Sequence, residues 1–207
     1  MTDSRLPVKE AIVLAACECI ERRGLQSLTT RNIAGEAGVN IATIHCHFGT
    51  KQKLVEEALR RSISHAIEHL DEILQEEGKA GPDRLAGILR FLPEGAIRFP
   101  NITRAYLYDV VFDGKKTGIF LRQFNAFLKR VLRDTGQAGG EVPSRSLELF
   151  LVLGISSSLF LGMSPAFFGK SLNVDFNSED DVDAYMQFLS GSGLSFCRPD
   201  LPKEFTN

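Results

Sequence analysis

Histidines, cysteines and hydroxyl groups are the side chains here whose spacing could do chemistry. His65-Ala66-Ile67-Glu68-His69 reproduces the H-x-x-E-H string of one metalloprotease class, and two histidines four apart share a helix face that could hold zinc. The pair borders the apolar stripe of a long helix, however. The chain has four histidines, and the other two, His45 and His47, lie in or beside a distant short helix. A third ligand would have to be an unidentified carboxylate, and an exposed helix face accounts for the pair adequately. A metal-dependent hydrolase using His65 and His69 is therefore the rival reading; neither metal nor cofactor is expected. His45 and His47 are two apart and diverge on a helix, so they form no chelate.

The four cysteines, Cys17, Cys19, Cys46 and Cys197, show no regular framework and no C-x-x-C, which suits a reducing compartment. Cys46 could act as a redox switch, but its reactivity depends on exposure that a sequence does not reveal. The first twenty residues are amphipathic and carry Asp3, Glu10 and Glu18, unlike a secretory signal. The longest apolar run, Leu149 to Ile155, falls far short of the roughly 20 residues that span a bilayer. A cytoplasmic protein is expected. Net charge is −2, so no global basic field announces nucleic acid. Residues 1–53 nevertheless hold seven Lys/Arg against five Asp/Glu, and the remainder seventeen against twenty-one. The N-terminal part is the side suited to meet phosphate.

Helical periodicity dominates and two-residue alternation is absent, so an all-α chain is expected. Helices are predicted over 8–23, 31–37, 41–47, 51–77, 83–98, 101–113, 117–135, 145–162 and 179–190. Gly24 stops the first, and the face of Ile12, Ala15, Ala16, Cys19 and Ile20 should be buried. Thr50 is a candidate N-cap for the long helix from Lys51, whose stripe reads Val55, Leu59, Ile63, Ala66, Leu70, Ile73. Gly78–Pro82 is a break, and 136–143 a loop. The 145–162 helix is apolar nearly all round, as a buried or dimer-forming helix would be.

The stretch Thr29 to His45 is the most informative. Two short helices crossing steeply need a small residue at their contact, which Ala34 supplies. Their tight turn needs positive φ, which Gly38 adopts without steric cost. Ile33, Ala37, Val39 and Ile44 fall where the pair must pack on the first helix, and Asn40 caps the second. These positions, with Ala15-Ala16, Arg23-Gly24-Leu25, Leu28-Thr29-Thr30-Arg31-Asn32-Ile33-Ala34, Ala37 through Lys51 and Leu54, resemble the DNA-binding domain of the TetR family of bacterial regulators. The resemblance covers residues 9 to 59.

It implies a three-helix helix-turn-helix head over 1–52 and a six-helix-type body over 53–207 that binds an effector and dimerises. Thr30, Arg31 and Lys51 would meet phosphates, while Ile41, Ala42, Thr43 and His45, with His47 beside them, would face the major groove. The family usually has Tyr where His45 stands and commonly an aromatic where Cys46 stands. Histidine donates more strongly when protonated, so His45 could make DNA affinity depend on pH; as a neutral ring it would simply replace the tyrosine. With few long polar side chains on the reading helix, shape and thymine methyls would carry much specificity.

The body holds most of the aromatic excess. A TetR-like body encloses an effector cavity between its middle helices, which the resemblance places near Phe91, Phe112, Phe120, Phe124, Phe127 and Phe150. Arg98, Arg104, Tyr106, Tyr108, Gln123 and Ser157 are its candidate polar liners, and a hydrophobic or aromatic effector is expected. The resemblance further implies a homodimeric regulator, expected as a repressor, pairing through 145–162 and 179–190 and reading an inverted repeat in duplex DNA. An activator or a redox- or pH-responsive regulator of the same fold is the alternative.

Overall fold

The structure, a computed structural model, describes residues 6–79, 81–111, 118–137, 144–164, 166–168 and 172–196. Among them are nine α-helices and no strand: α1 Val8–Arg23, α2 Thr30–Ala37, α3 Ile41–Phe48, α4 Lys51–Gln75, α5 Gly81–Arg98, α6 Pro100–Val111, α7 Ile119–Gln137, α8 Ser144–Met163 and α9 Glu179–Phe196. The chain is all-α, as expected. No helix among these residues is long and apolar enough to cross a membrane. Phe112, residue 113 and Cys197 lie outside the described residues.

Three features differ from the periodicity. Leu54, Ala58, Ile63, Leu70 and Leu74 are the buried positions of α4, whereas Val55, Leu59, Ala66 and Ile73 are half-buried. The core-facing stripe is turned by one residue at both ends, because neighbouring helices rather than pattern alone choose the inward face. α5 begins at Gly81, inside the expected break, and continues through Pro93. Proline is tolerated in a first turn, as at Pro82; at Pro93 it removes one ladder donor, and the side chain is fully buried. α9 continues past residue 190 to Phe196, through Gly191 and Gly193. Its acidic start, Glu179, Asp180 and Asp181, complements the helix dipole.

Two compact units are formed, one by Met1–Ile67 with Phe99–Phe124 and the other by Glu68–Arg98 with Asn125–Asn207. In the first, Ile12, Ala16, Ile20, Leu28, Ile33, Ile44, Leu54 and Ala58 make the core, where the predicted face of α1 is buried. Each short helix is capped. The Thr29 side chain accepts from the Asn32 N–H, Asn40 Oδ1 from Ala42 N–H at 3.0 Å, and Thr50 Oγ1 from Lys53 N–H at 3.2 Å. Gly38 stands at φ 65°, ψ 31°, the left-handed turn that only glycine adopts freely. Asn40→Ala should cost about 1 kcal/mol of stability, read as a lowered denaturant midpoint with unchanged slope, while Asn40→Asp should stay near wild type.

The start of α6 is capped from α1. Phe99 and Pro100 offer neither a capping acceptor nor a first N–H, and the Glu21 carboxylate accepts from Asn101 N–H at 3.4 Å and Ile102 N–H at 3.0 Å. Asn101 Nδ2 returns a bond to the Glu21 carbonyl at 2.7 Å. In the second unit α8 lies against α5 through glycines: a Cβ at Gly154 would stand 2.5 Å from Leu89 Cδ2, and one at Gly162 would stand 2.6 Å from both Ala96 Cβ and its carbonyl oxygen. Arg130 bridges α7 to α4 by a forked pair with Asp71, at 2.9 and 2.8 Å from Nη2.

Candidate nucleic-acid interface

The exposed face of α3 follows from what its other face must bury. Ile44 and Phe48 are in the core, and Ile41 packs partly against it. That leaves Ala42, His45 and Cys46 exposed at helical spacing, with His47 beside them and Thr43 half-buried. Cys46 is exposed, whereas Cys19 is buried and Cys17 partly so. The Cys17 thiol donates to the Ala58 carbonyl at 3.4 Å, and burial pushes its pKa up to about 11. Burial also raises Cys19. Neither buried thiol is a thiolate at neutral pH.

Lys51 is exposed, and its ammonium donates to the Leu28 carbonyl at 3.0 Å. This places a cation beside the start of α2. There the N–H groups of Thr30 and Arg31 precede the helix ladder and have no carbonyl partner within it. The exposed Arg31 side chain completes a cluster suited to an anion. The Lys51–Leu28 contact spans 23 residues and has no sequence signal.

His45 Nδ1 lies 3.1 Å from the Gly49 carbonyl oxygen. A carbonyl only accepts, so the proton belongs on Nδ1, and the neutral ring presents its Nε2 lone pair outward. Only the imidazolium offers an outward N–H. That bond follows from the turn at Gly49, which stands at φ 72°, and is invisible in the residue types.

The expected effector liners are divided between the two units. Tyr106, Phe120 and Phe124 form a ladder of stacked rings at 4.9 and 5.2 Å. The Tyr106 hydroxyl donates to Ser62 Oγ at 2.8 Å, and Gln123 Nε2 to Ser64 Oγ at 3.1 Å; burial raises the Tyr106 pKa, with the Ser62 bond opposing. Among the described residues, Gln123 Oε1 is buried without a partner. These four share the first unit. Arg104 instead holds Asn101 Oδ1 at 2.8 Å, Arg98 is exposed and Tyr108 half-buried. In the second unit Phe127 is fully buried under Arg130, Phe150 is core, and Phe91 meets the His69 ring at 6.1 Å. Ser157 Oγ donates to the Gly154 carbonyl at 3.0 Å. His65 and His69 are both exposed, and His69 Nδ1 turns to Glu72 at 3.0 Å. Among the described residues, no group of three His, Cys, Asp or Glu could hold a metal ion.

A capped helix pair around a left-handed glycine, docked on a third helix with a polar face outward, defines a helix-turn-helix DNA-binding protein. Residues 12–58 match the model of the bacterial regulatory proteins of the tetR family, and the head of this chain is of that type. A nucleoid occlusion factor, SlmA of Idiomarina loihiensis, is 26% identical over 140 residues, 65% of this chain and 70% of its own. The fold is shared with a TetR-family regulator from a Rhodococcus species, TM-score 0.64 at 17% identity, covering 90% of this chain and 98% of that one. It is shared also with FadR of Bacillus subtilis, solved with stearoyl-CoA, TM-score 0.60 at 16% identity over 91% and 99% of the two chains.

Proposed function

We propose that the protein is a ligand-responsive repressor that binds an inverted-repeat operator as a homodimer and is released by a small hydrophobic or aromatic molecule. The observation that carries the DNA reading is the exposed α3 face beside the Arg31–Lys51 cluster at the start of α2. In this reading Thr30, Arg31 and Lys51 hold phosphates. Ile41, Ala42, Thr43, His45 and His47 lie in or along the major groove, with Ile41 limited by its packing to apolar contact. Dimerisation is supported by α8, where Leu149, Val152, Leu153 and Phe160 are exposed on one face, a patch that a lone soluble chain seldom leaves uncovered. Two such heads would read half-sites roughly 34–36 Å or more apart. The effector would meet the wall of Tyr106, Phe120, Gln123 and Phe124; a fold relative that carries stearoyl-CoA is in keeping with an apolar effector. Selection from fragments of the source genome tests this: an inverted repeat should be enriched, and enrichment of no sequence would contradict it.

The Nδ1 bond of His45 to the Gly49 carbonyl leaves Nε2 directed outward from α3. His45→Ala should alter operator preference in the same selection without lowering the melting temperature, and an unchanged preference would remove His45 from the reading surface.

A further inference from the structure

Within the second unit, α8, α9 and the described parts of their connector surround a cavity of about 730 Å³, within the roughly 300–1,000 Å³ range of small-molecule sites. Its walls are aromatic: Phe160 of α8, Phe168 and Phe176 of the connector, and Tyr185 and Phe188 of α9. Phe160 meets Phe168 at 5.8 Å, and Phe176 meets Tyr185 edge to face at 5.3 Å. None of the walls but Ser157 was among the expected effector liners, because the connector residues carry no periodic signal.

Among the described residues, the Tyr185 hydroxyl oxygen in this wall is buried without a hydrogen-bond partner. Ser157 lies near enough to oppose the rise that burial causes in the Tyr185 pKa, but its own proton goes to the Gly154 carbonyl and no bond of good geometry joins the two. A buried donor left unpaired is costly, so its retention beside an apolar cavity asks for an acceptor. The rim bears on ligand charge. Asp181 lines the cavity and accepts from the Asp175 N–H at 2.6 Å, and Glu179 and Asp180 precede it in the first turn of α9. Carboxylates there disfavour an anion.

We propose that this cavity is a binding site for an uncharged, apolar molecule with one hydrogen-bond acceptor, such as a ketone, ester or amide oxygen, which accepts a hydrogen bond from the Tyr185 hydroxyl. Phe160 and Phe188 of the lining are exposed, and Phe160 lies on the face assigned above to the second copy, so a dimer would roof the site. A side chain of the second copy is the competing occupant. An apolar one would fill the volume but leave the Tyr185 donor unmatched, whereas a ligand oxygen satisfies both. The site itself does not depend on the DNA reading.

The test is fluorescence titration of the full chain with Nile red, which is neutral, apolar and carries a ring carbonyl, beside the anionic dye 1-anilinonaphthalene-8-sulfonate. One saturable Nile red site per chain is expected, with the sulfonate weaker and gaining affinity in Asp181→Asn. Ala184→Trp, which fills the mouth, should abolish the site. The near-isosteric Tyr185→Phe should weaken it about five- to tenfold without lowering the melting temperature. No saturable site, or one indifferent to both Ala184→Trp and Tyr185→Phe, would overturn the proposal. Sedimentation on the same samples separates the competing occupant. Binding that disappears as the dimer forms would assign the cavity to the second copy, while binding unchanged or tightened by dimerisation supports the ligand.

Discussion

The Arg31→Ala, Lys51→Ala double variant should bind duplex DNA about a hundredfold more weakly than wild type near 0.1 M salt. Its plot of log affinity against log salt should be shallower by about two units. Each cation that neutralises its own phosphate releases about one counterion, worth roughly a factor of ten at that salt, so the two losses add. Neither loss should unfold the head. Arg31 is exposed, and Lys51 forfeits one bond to the Leu28 carbonyl, a net loss of about 1 kcal/mol or less. The weakening should apply to specific and random duplexes alike, because phosphate contacts carry no sequence information. Weakening confined to the operator, or an unchanged salt slope, would remove these residues from the phosphate assignment.

A second large effect is expected within the second unit. Gly162→Val should destabilise the protein by about 3 kcal/mol, lowering the melting temperature by roughly 10 °C. The added Cβ would stand 2.6 Å from the Ala96 carbonyl oxygen, a backbone atom that moves only if α5 and α8 separate. Gly154→Ala is the informative contrast. Its obstacle is the tip of the Leu89 side chain at 2.5 Å, which can rotate away, and alanine is the better helix former. That variant should stay within about 1 kcal/mol of wild type. Equal losses at both positions would show that side-chain repacking, not backbone approach, governs the α5–α8 contact.

These contrasts show what the sequence could disclose. The head was legible because its constraints are local: a cap at Thr29, a left-handed turn at Gly38 and a second cap at Asn40 fall within a dozen residues, and each demands a particular residue type. The faces of α1 and the order of the nine helices among the described residues were legible from periodicity. What failed was phase and partnership. The inward face of α4 centres on Leu54 and Ala58 rather than Val55 and Leu59, since both choices fit the same period. Pro93 gave no sign that α5 would run through it.

The effector liners were harder still. Tyr106, Phe120, Gln123 and Phe124 lie in the first unit and Phe91, Phe127 and Phe150 in the second, and an aromatic pattern alone cannot distinguish core from cavity in either. The α8–α9 cavity drew on a connector without periodicity and went unanticipated apart from Ser157. The reading surface lay between these extremes. His45 stood out by residue type, while the tautomer that decides its chemistry depends on a carbonyl four residues away.

The central claim is that α3 and the start of α2 bind DNA with the two-fold symmetry of a dimer. Calorimetric titration of the full chain into the duplex recovered by genomic selection tests it most directly. The account predicts two chains per inverted repeat, with affinity lost when one half-site is scrambled and when the spacing between half-sites is shifted by half a helical turn. Binding of one chain per duplex, indifferent to the second half-site and to spacing, would contradict it.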